Sequence, residues 1–263
     1  MNIDFHKFQN CGNDFIIIDH IGKENEKDKI KEIGKKILKK KFGIGANNLL
    51  YLHESGVADA FMRIYNISDT EGNNCGNGSL CVAKYLSEKT GKCQISLETK
   101  SGINKLKKLD NSAFELEFGA VKYGYFGKNE LFNQKIMGYE GIIVNAGEPH
   151  LVINVNDIDS VNLQKIGDEA NKCKNFQFGI NVDLVEAVDR NTIRIRVYER
   201  SCFEETEACG TGSCCAAFVC KNKELVYGNT IKVKNKGGEL DIKIEENSMY
   251  LIGKPKRVYR RLN

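Results

Sequence analysis

Short apolar runs, each bounded by glycine, asparagine or charged residues, recur along the whole chain. Their length and their content of β-branched and aromatic residues are typical of strands. In the first half they lie at 15–18, 49–52, 60–65 and 95–99, and in the second half at 151–153, 182–185, 192–198, 230–233 and, with strict alternation, 240–244. The pattern predicts one group of strands in each half of the chain.

Longer apolar segments predict a helix in each half, at 80–86 and from 214 to beyond 219. A further segment at 33–41 places Ile33, Ile37 and Leu38 at helical spacing among lysines. We interpret its lysines as a solvated helix face, because no aromatic residues interleave with them as in a nucleic-acid groove. Each half is then a mostly antiparallel sheet wrapped around a central helix, which is an α+β fold.

The two halves repeat one another. Arg63-Ile64-Tyr65 and Cys75-Gly76-Asn77-Gly78-Ser79 recur as Arg196-Val197-Tyr198 and Cys209-Gly210-Thr211-Gly212-Ser213. A repeat of about 130 residues is too long for a solenoid unit, so it predicts two similar lobes. We place the N-terminal lobe at 1–118 and the C-terminal lobe at 119–253, with the active site in the cleft between them.

Composition narrows the class of protein. The chain has 263 residues, 41% of them hydrophobic, and a net charge of +4. It has no run of 18 uncharged apolar residues and no signal-peptide pattern, so we expect a cytoplasmic protein that binds neither membrane nor nucleic acid. Ten cysteines without a Cys-x-x-Cys pair, and only four histidines, favour reduced thiols and no metal site.

Each repeated cysteine directly precedes a Gly-x-Gly and a predicted helix. The first turn of a helix carries unpaired N–H groups and partial positive charge, so it binds carboxylates and lowers the pKa of an adjacent thiol. Glycines let the backbone approach a ligand and adopt positive φ. The amides of Gly76-Asn77 and Gly210-Thr211 are therefore expected to bind the substrate carboxylate and to stabilise enolate-like charge.

Two such cysteines predict inversion of an α-carbon. One thiolate removes the α-proton, and the opposite thiol delivers a proton to the other face. This chemistry needs no cofactor, and the chain has no dinucleotide fingerprint, P-loop or identifiable Schiff-base lysine. A single Cys-Gly-x-Gly is more often a structural thiol, but two at matching repeat positions favour catalysis. Packing is the expected role of the other cysteines on the two helices, which are Cys81, Cys214, Cys215 and Cys220.

With these motifs, the chain resembles the diaminopimelate epimerase family, the cofactor-independent two-thiol epimerases of lysine and cell-wall (peptidoglycan) biosynthesis, over essentially its whole length. The resemblance implies that Cys75 and Cys209 are the acid and base. It implies that His150, in Gly147-Glu148-Pro149-His150, tunes a thiol, and that Glu199 belongs to the catalytic set. It also implies a C-terminal strand at 254–263 that returns to the first lobe, and a possible homodimer.

The resemblance further implies a set of residues that bind a substrate with two amino-acid ends. Besides the four helix-start residues named above, they are Asn13, Asn48, Asn66, Glu148, Asn181, Glu199 and Arg200. Arg200 can hold a distal carboxylate bidentately, and Asn66 and Asn181 can complete its hydrogen bonds.

The chain departs from the family's usual pattern near the substrate's expected distal end. It has Glu148 for Asn, Asn48 for Gln, Ser68-Asp69 for Asp-Gly, and one extra residue between Arg200 and Cys209. A carboxylate at Glu148 favours a cationic group. Three hypotheses remain: an epimerase of diaminopimelate, the same mechanism on lanthionine, histidine or another basic amino acid, or a non-catalytic amino-acid-binding or thiol redox protein.

Overall fold

The computed structural model describes residues 3–24, 26–67, 70–109, 112–126, 132–246 and 248–261. Ser68-Asp69 and the last two residues of the predicted C-terminal strand lie outside this part of the chain. By their contacts the residues divide into two compact units: unit 1 is Met1–Glu117 with Gly253–Asn263, and unit 2 is Phe118–Ile252. The C-terminal strand is thus grouped with the N-terminal half.

Among the described residues, unit 1 contains two helices and all or most of nine strands. The helices are α1 (Lys27–Ile37) and α2 (Gly76–Thr90), and the strands are β1 (Phe5–Asn10), β2 (Asn13–Asp19), β3 (Asn48–His53), β4 (Ala60–Asn66), β5 (Glu71–Gly72), β6 (Gln94–Thr99), β7 (Gly102–Lys108), β8 (Phe114–Gly119) and, from the C-terminus, β19 (Lys256–Arg261). The sheet runs β19-β1-β2-β3-β4-β6-β7-β8, with parallel pairing at β2–β3 and β4–β6 and antiparallel pairing elsewhere among these strands.

Unit 2 repeats this arrangement. Its elements are β9 (Lys122–Tyr123), β10 (Asn133–Ile136), β11 (Tyr139–Asn145), β12 (Pro149–Asn154), α3 (Leu163–Ala170), β13 (Asn181–Asp189), β14 (Thr192–Glu199), β15 (Glu204–Thr206), α4 (Gly210–Asn222), β16 (Thr230–Asn235), β17 (Gly238–Ile244) and β18 (Met249–Gly253). The sheet runs β10-β11-β12-β13-β14-β16-β17-β18, and its parallel pairs are β12–β13 and β14–β16. The order of strand directions is the same in both units, and the predicted α+β fold is confirmed.

The central strands are buried on both faces, which explains their uninterrupted apolar runs. Ile16 and Ile18 of β2 belong to an apolar cluster with Ile30 and Ile37 of α1. The alternate residues of β2 point to the other face, against which α2 packs. In unit 2 the corresponding faces of β13 are covered by α3 and α4.

In each unit, the arginine of the repeated Arg-x-Tyr motif forms an ion pair with a glutamate on the neighbouring strand. Arg63 on β4 lies 2.9 Å from Glu71 on β5, and Arg196 on β14 lies 2.7 Å from Glu205 on β15. Because the strand pairings of the two units agree, positions of unit 1 can be matched one by one with positions of unit 2. Among the described helices, none is both long and apolar enough to cross a membrane.

Candidate active site

Both repeated cysteines cap the helices that follow them. Cys75 and Cys209 are the N-cap residues of α2 and α4, each with extended backbone. The Cys75 sulfur accepts a hydrogen bond from the N–H of Gly78 at 3.3 Å, and the Cys209 sulfur accepts one from Gly212 at 3.4 Å. The helices begin four residues earlier than the apolar pattern predicted, at Gly76 and Gly210, because the sulfurs satisfy first-turn donors as capping oxygens do.

The motif glycines serve close packing, and the expectation that they adopt positive φ is wrong. Gly76, Gly78, Gly210 and Gly212 all lie in helices, and none is among the residues with positive φ. A Cβ on Gly78 would lie 3.3 Å from the Cys75 sulfur, and one on Gly212 would lie 3.1 Å from Asp183 Oδ1. The glycines therefore leave room for the thiol in one unit and for a carboxylate in the other.

Positive φ occurs instead at two loop glycines, Gly12 and Gly147. Gly12 has φ 78° and Gly147 has φ 94°, which is the left-handed region where glycine is favoured. Each glycine is followed by a predicted substrate-binding residue, Asn13 or Glu148.

The predicted substrate-binding side chains of unit 1 are all asparagine amides. Asn77 is buried, and its Oδ1 accepts a hydrogen bond from Asn10 at 3.0 Å. On the adjacent strands, Asn48 donates to Asn66 Oδ1 at 2.5 Å, and Asn66 donates to Thr70 at 2.7 Å. Within the described part of the chain, the buried Oδ1 of Asn13 has no hydrogen-bond partner. An unpaired buried acceptor is suited to a donor from a ligand.

The neighbours of Cys209 are ionisable. His150 and Asp183 are fully buried, and His150 Nδ1 lies 3.0 and 2.9 Å from the two carboxylate oxygens of Asp183. His150 Nε2 lies 2.9 Å from the hydroxyl of Thr211, which lies 3.2 Å from the Cys209 sulfur. A continuous chain of contacts thus joins Asp183 to the thiol.

Glu199 adds a second acidic group beside the same thiol. Its carboxylate accepts a hydrogen bond from Thr206 at 3.0 Å, and burial raises its pKa. Burial, followed by the charges of Glu199 and Asp183, raises the pKa of Cys209 well above the usual thiol value. The expectation that a helix start would lower this pKa is therefore wrong for Cys209, because burial and two carboxylates outweigh the bond from Gly212.

Arg200 and Glu148 pair with one another. Two guanidinium nitrogens of Arg200 contact Glu148 Oε2, one of them at 3.1 Å, and a third donates to the carbonyl of Phe178 at 2.5 Å. Asn181 accepts a hydrogen bond from the backbone N–H of Arg200 at 3.0 Å. The structure therefore brings Glu148, Asn181 and Arg200 together.

The model of the diaminopimelate epimerase family matches residues 5–123 and 142–258, which include the segments described above. The chain belongs to the diaminopimelate epimerase family. A diaminopimelate epimerase from Methanocella arvoryzae is 34% identical over 98% of this chain and 95% of its own length. Another from Pelagibacter ubique is 34% identical over 96% of each chain.

Solved structures with low sequence identity share the fold. A phenazine biosynthesis protein of the PhzF family from Bacillus anthracis superposes with a TM-score of 0.73 at 16% identity, covering 98% of each chain. A hydroxyproline epimerase from Agrobacterium vitis, solved with trans-4-hydroxy-L-proline, gives 0.72 at 12% identity, covering 98% of this chain and 90% of that one. Membership of the diaminopimelate epimerase family makes this chain an isomerase.

Asp183 is a site residue that the sequence interpretation missed. It lies in the run Val182-Asp183-Leu184-Val185, where we read only a strand. An acidic residue inside an apolar run was the available signal, because a fully buried carboxylate needs a partner. That partner, His150, is 33 residues away in sequence.

Proposed function

We propose that this protein interconverts LL- and meso-diaminopimelate without a cofactor, with Cys75 and Cys209 as its two acid–base groups. The observation that carries the proposal is the duplicated cysteine N-cap, which puts a thiol at the same position of two matching folds. Inversion by two bases needs one thiol on each side of the α-carbon, and it needs no electron sink beyond donors that stabilise the enolate-like charge. We assign one epimerase lobe to each unit.

The helix starts supply the remaining chemistry. The first-turn amides at Gly76-Asn77 and Gly210-Thr211 are suited to the substrate carboxylate, since helix geometry directs such N–H groups outward at a partially positive end. The unpaired oxygen of Asn13 suits the substrate ammonium group. Asn48 and Asn66, already joined to one another, add amide donors and acceptors beside it.

The distal end of the substrate is assigned to Arg200, Asn181 and Glu148. A carboxylate from the substrate can take the place that Glu148 holds on Arg200, and the released Glu148 can then bind the distal ammonium. Diaminopimelate carries both groups at this end. Binding would therefore replace the ion pair between Arg200 and Glu148 with two ion pairs to the substrate, one at each of these residues.

The pair between Arg200 and Glu148 also favours a second candidate substrate class. If Glu148 stays on Arg200, the distal pocket has no cation for a carboxylate, and a basic amino acid such as histidine, or lanthionine with its thioether, becomes the better substrate. The two-thiol mechanism is the same in this case.

The deciding experiment is α-proton exchange in deuterium oxide, followed by NMR without added cofactor. It uses diaminopimelate, lanthionine, histidine and lysine as separate substrates. We expect exchange with inversion on diaminopimelate. Exchange on another amino acid alone would reassign the distal pocket, and exchange unchanged by Cys75→Ala would refute the two-thiol mechanism.

We also propose that the protein is a cytoplasmic, homodimeric enzyme of lysine and peptidoglycan biosynthesis. All ten cysteines are free thiols in the structure, which is consistent with a reducing compartment. Size-exclusion chromatography with light scattering would test the dimer.

A further inference from the structure

Four side chains of unit 2 form one line of hydrogen-bonding groups, three of them buried and Thr211 partly exposed. It runs from Asp183 through His150 and Thr211 to the sulfur of Cys209, with successive separations of 3.0, 2.9 and 3.2 Å. The side chains of Asp183 and His150 have no solvent exposure, and Cys209 is only 8% exposed. No water is needed to complete the line.

The side-chain amide of Asn181 indicates which imidazole nitrogen carries the proton. Its Oδ1 accepts from the N–H of Arg200, and its Nδ2 donates to the carbonyl of Pro149 at 3.2 Å. These two bonds fix the amide, so its NH₂ group faces His150 Nε2 at 3.2 Å. Nε2 is therefore an acceptor, and the imidazole proton is on Nδ1, where Asp183 accepts it.

We propose that Asp183 is a positioning residue for Cys209, acting through His150 and Thr211. By holding the Nδ1–H tautomer, Asp183 keeps a lone pair on Nε2. The Asn181 amide and, at the shorter distance, the Thr211 hydroxyl both approach this lone pair, which accepts the hydroxyl proton of Thr211 in the proposed transfer. As Thr211 gives that proton to His150, it takes the proton of the Cys209 thiol. The products are a thiolate and an imidazolium, Asp183 stays ionised, and the reverse transfer restores the thiol.

Charge explains why this route matters beside Glu199. Cys209 contacts Glu199 directly and lies near Asp183, and both carboxylates oppose a thiolate. A proton on His150 is the positive charge that this line can supply to offset them. The arrangement follows the logic of a nucleophile–histidine–aspartate triad with a hydroxyl inserted between thiol and imidazole.

This inference rests on the proposed function, and its kinetic test uses Asp183→Asn, which keeps the side-chain shape. We expect kcat for inversion to fall about 10²-fold with KM within about twofold, because Asp183 does not touch the substrate. Thr211→Val should lower kcat similarly, and the double variant should fall no further than either single one. A folded Asp183→Asn enzyme with wild-type kcat would overturn the proposal.

Asp168→Asn is the matched control. Asp168 is also in unit 2 and accepts a hydrogen bond from a buried aromatic residue, Tyr198, at 2.9 Å, but it is not part of the line that leads to Cys209. Its kcat should be unchanged. If Asp183→Asn fails to fold, Thr211→Val interrupts the same line without touching the buried carboxylate, and an unchanged kcat there would equally overturn the proposal.

The tautomer is tested separately from activity by ¹⁵N NMR of protein labelled at histidine, with His150 assigned by its loss in His150→Gln. We expect Nδ1 protonated and Nε2 unprotonated in the wild type, and this preference lost in Asp183→Asn. A wild-type signal with the proton on Nε2 alone would overturn the proposal. If no amino acid exchanges its α-proton, the proposed function fails, whereas the NMR result still decides whether Asp183 positions His150.

Discussion

The cysteine centres of the two units share a scaffold and differ in chemistry. Matching strand register pairs Asn48 with Asn181, and each cysteine caps an equivalent helix. Yet ionisable side chains stand in unit 2 where unit 1 has amides or apolar groups. The matched pairs are Asn13 and Glu148, Phe15 and His150, Leu50 and Asp183, and Asn66 and Glu199.

The repeat therefore explains why each thiol lies at the start of an equivalent helix. It does not explain which side chains surround each thiol. At the first centre, Leu50 contacts the helix start beside Cys75, and at the second a carboxylate occupies the equivalent place. Two thiols that act as acid and base on one carbon must exchange roles as the reaction reverses. In our proposal, the ionisable network beside Cys209 gives that thiol its own proton partner.

The largest expected effect comes from removing either thiol. Cys75→Ala and Cys209→Ala should each lower inversion about 10³-fold or more, because inversion needs both an acid and a base. Chiral analysis of diaminopimelate measures this, with exchange surviving for at most one isomer in each variant. Cys81→Ala, a buried thiol on α2, is the control that should retain activity. If Cys75→Ala or Cys209→Ala still inverted the substrate, the prediction that both thiols are needed would be contradicted.

Exchanging the buried residues Leu50 and Asp183 tests the difference in stability. Leu50→Asp buries a carboxylate with no histidine partner, because Phe15 occupies the position that matches His150, and should lower the unfolding free energy by about 3–5 kcal/mol. Asp183→Leu leaves His150 without its acceptor and should cost about 1–3 kcal/mol. Urea denaturation at pH 7 measures both. Equal losses of unfolding free energy in the two variants would contradict the expected difference between the two centres.

The first helix of each unit, α1 or α3, offers a smaller contrast. A Cβ on Gly167 of α3 would lie 2.3 Å from the ring of Tyr198, whereas one on Gly34 of α1 would lie 2.9 Å from a terminal methyl of Leu49. Gly167→Ala should cost about 3 kcal/mol, since the buried ring cannot move. Gly34→Ala should change stability by less than about 1 kcal/mol, because the better helix former offsets a movable contact. Thermal unfolding measures both changes. A larger loss of stability for Gly34→Ala than for Gly167→Ala would contradict the prediction.

The smallest effect is the pH dependence that Glu199 adds to unit 2. Its pKa in the folded state is raised above 4.5 by burial, so the folded protein binds the proton more tightly than the unfolded chain. The stability contribution is complete below the unfolded pKa and is lost as pH rises through the folded pKa. Glu199→Gln, which resembles Asn66 at the first centre, should remove this loss. An unfolding free-energy difference between variant and wild type that is constant from pH 4 to 8 would contradict it.

Much of the fold could be predicted because its signals are local. Apolar alternation at 240–244 marks β17, and the apolar segment after each cysteine marks a helix. The helix starts were misplaced by four residues, since a cysteine is not a usual cap and glycines weaken the helix signal. The expectation of positive φ in the motif was also wrong. Those glycines are required by close tertiary packing and not by the local backbone conformation.

Local sequence patterns suffice to predict the duplication, the two repeated cysteines and the α+β architecture, since each depends on neighbouring residues whose pattern can be read directly. The pairing of the polar groups could be seen only in the assembled fold. His150 reaches Thr211 across 61 residues, and Arg200 reaches Glu148 across 52. Those pairings depend on strand register and on which face of a strand each side chain occupies, and neither quantity is fixed until the strands have assembled into their sheet.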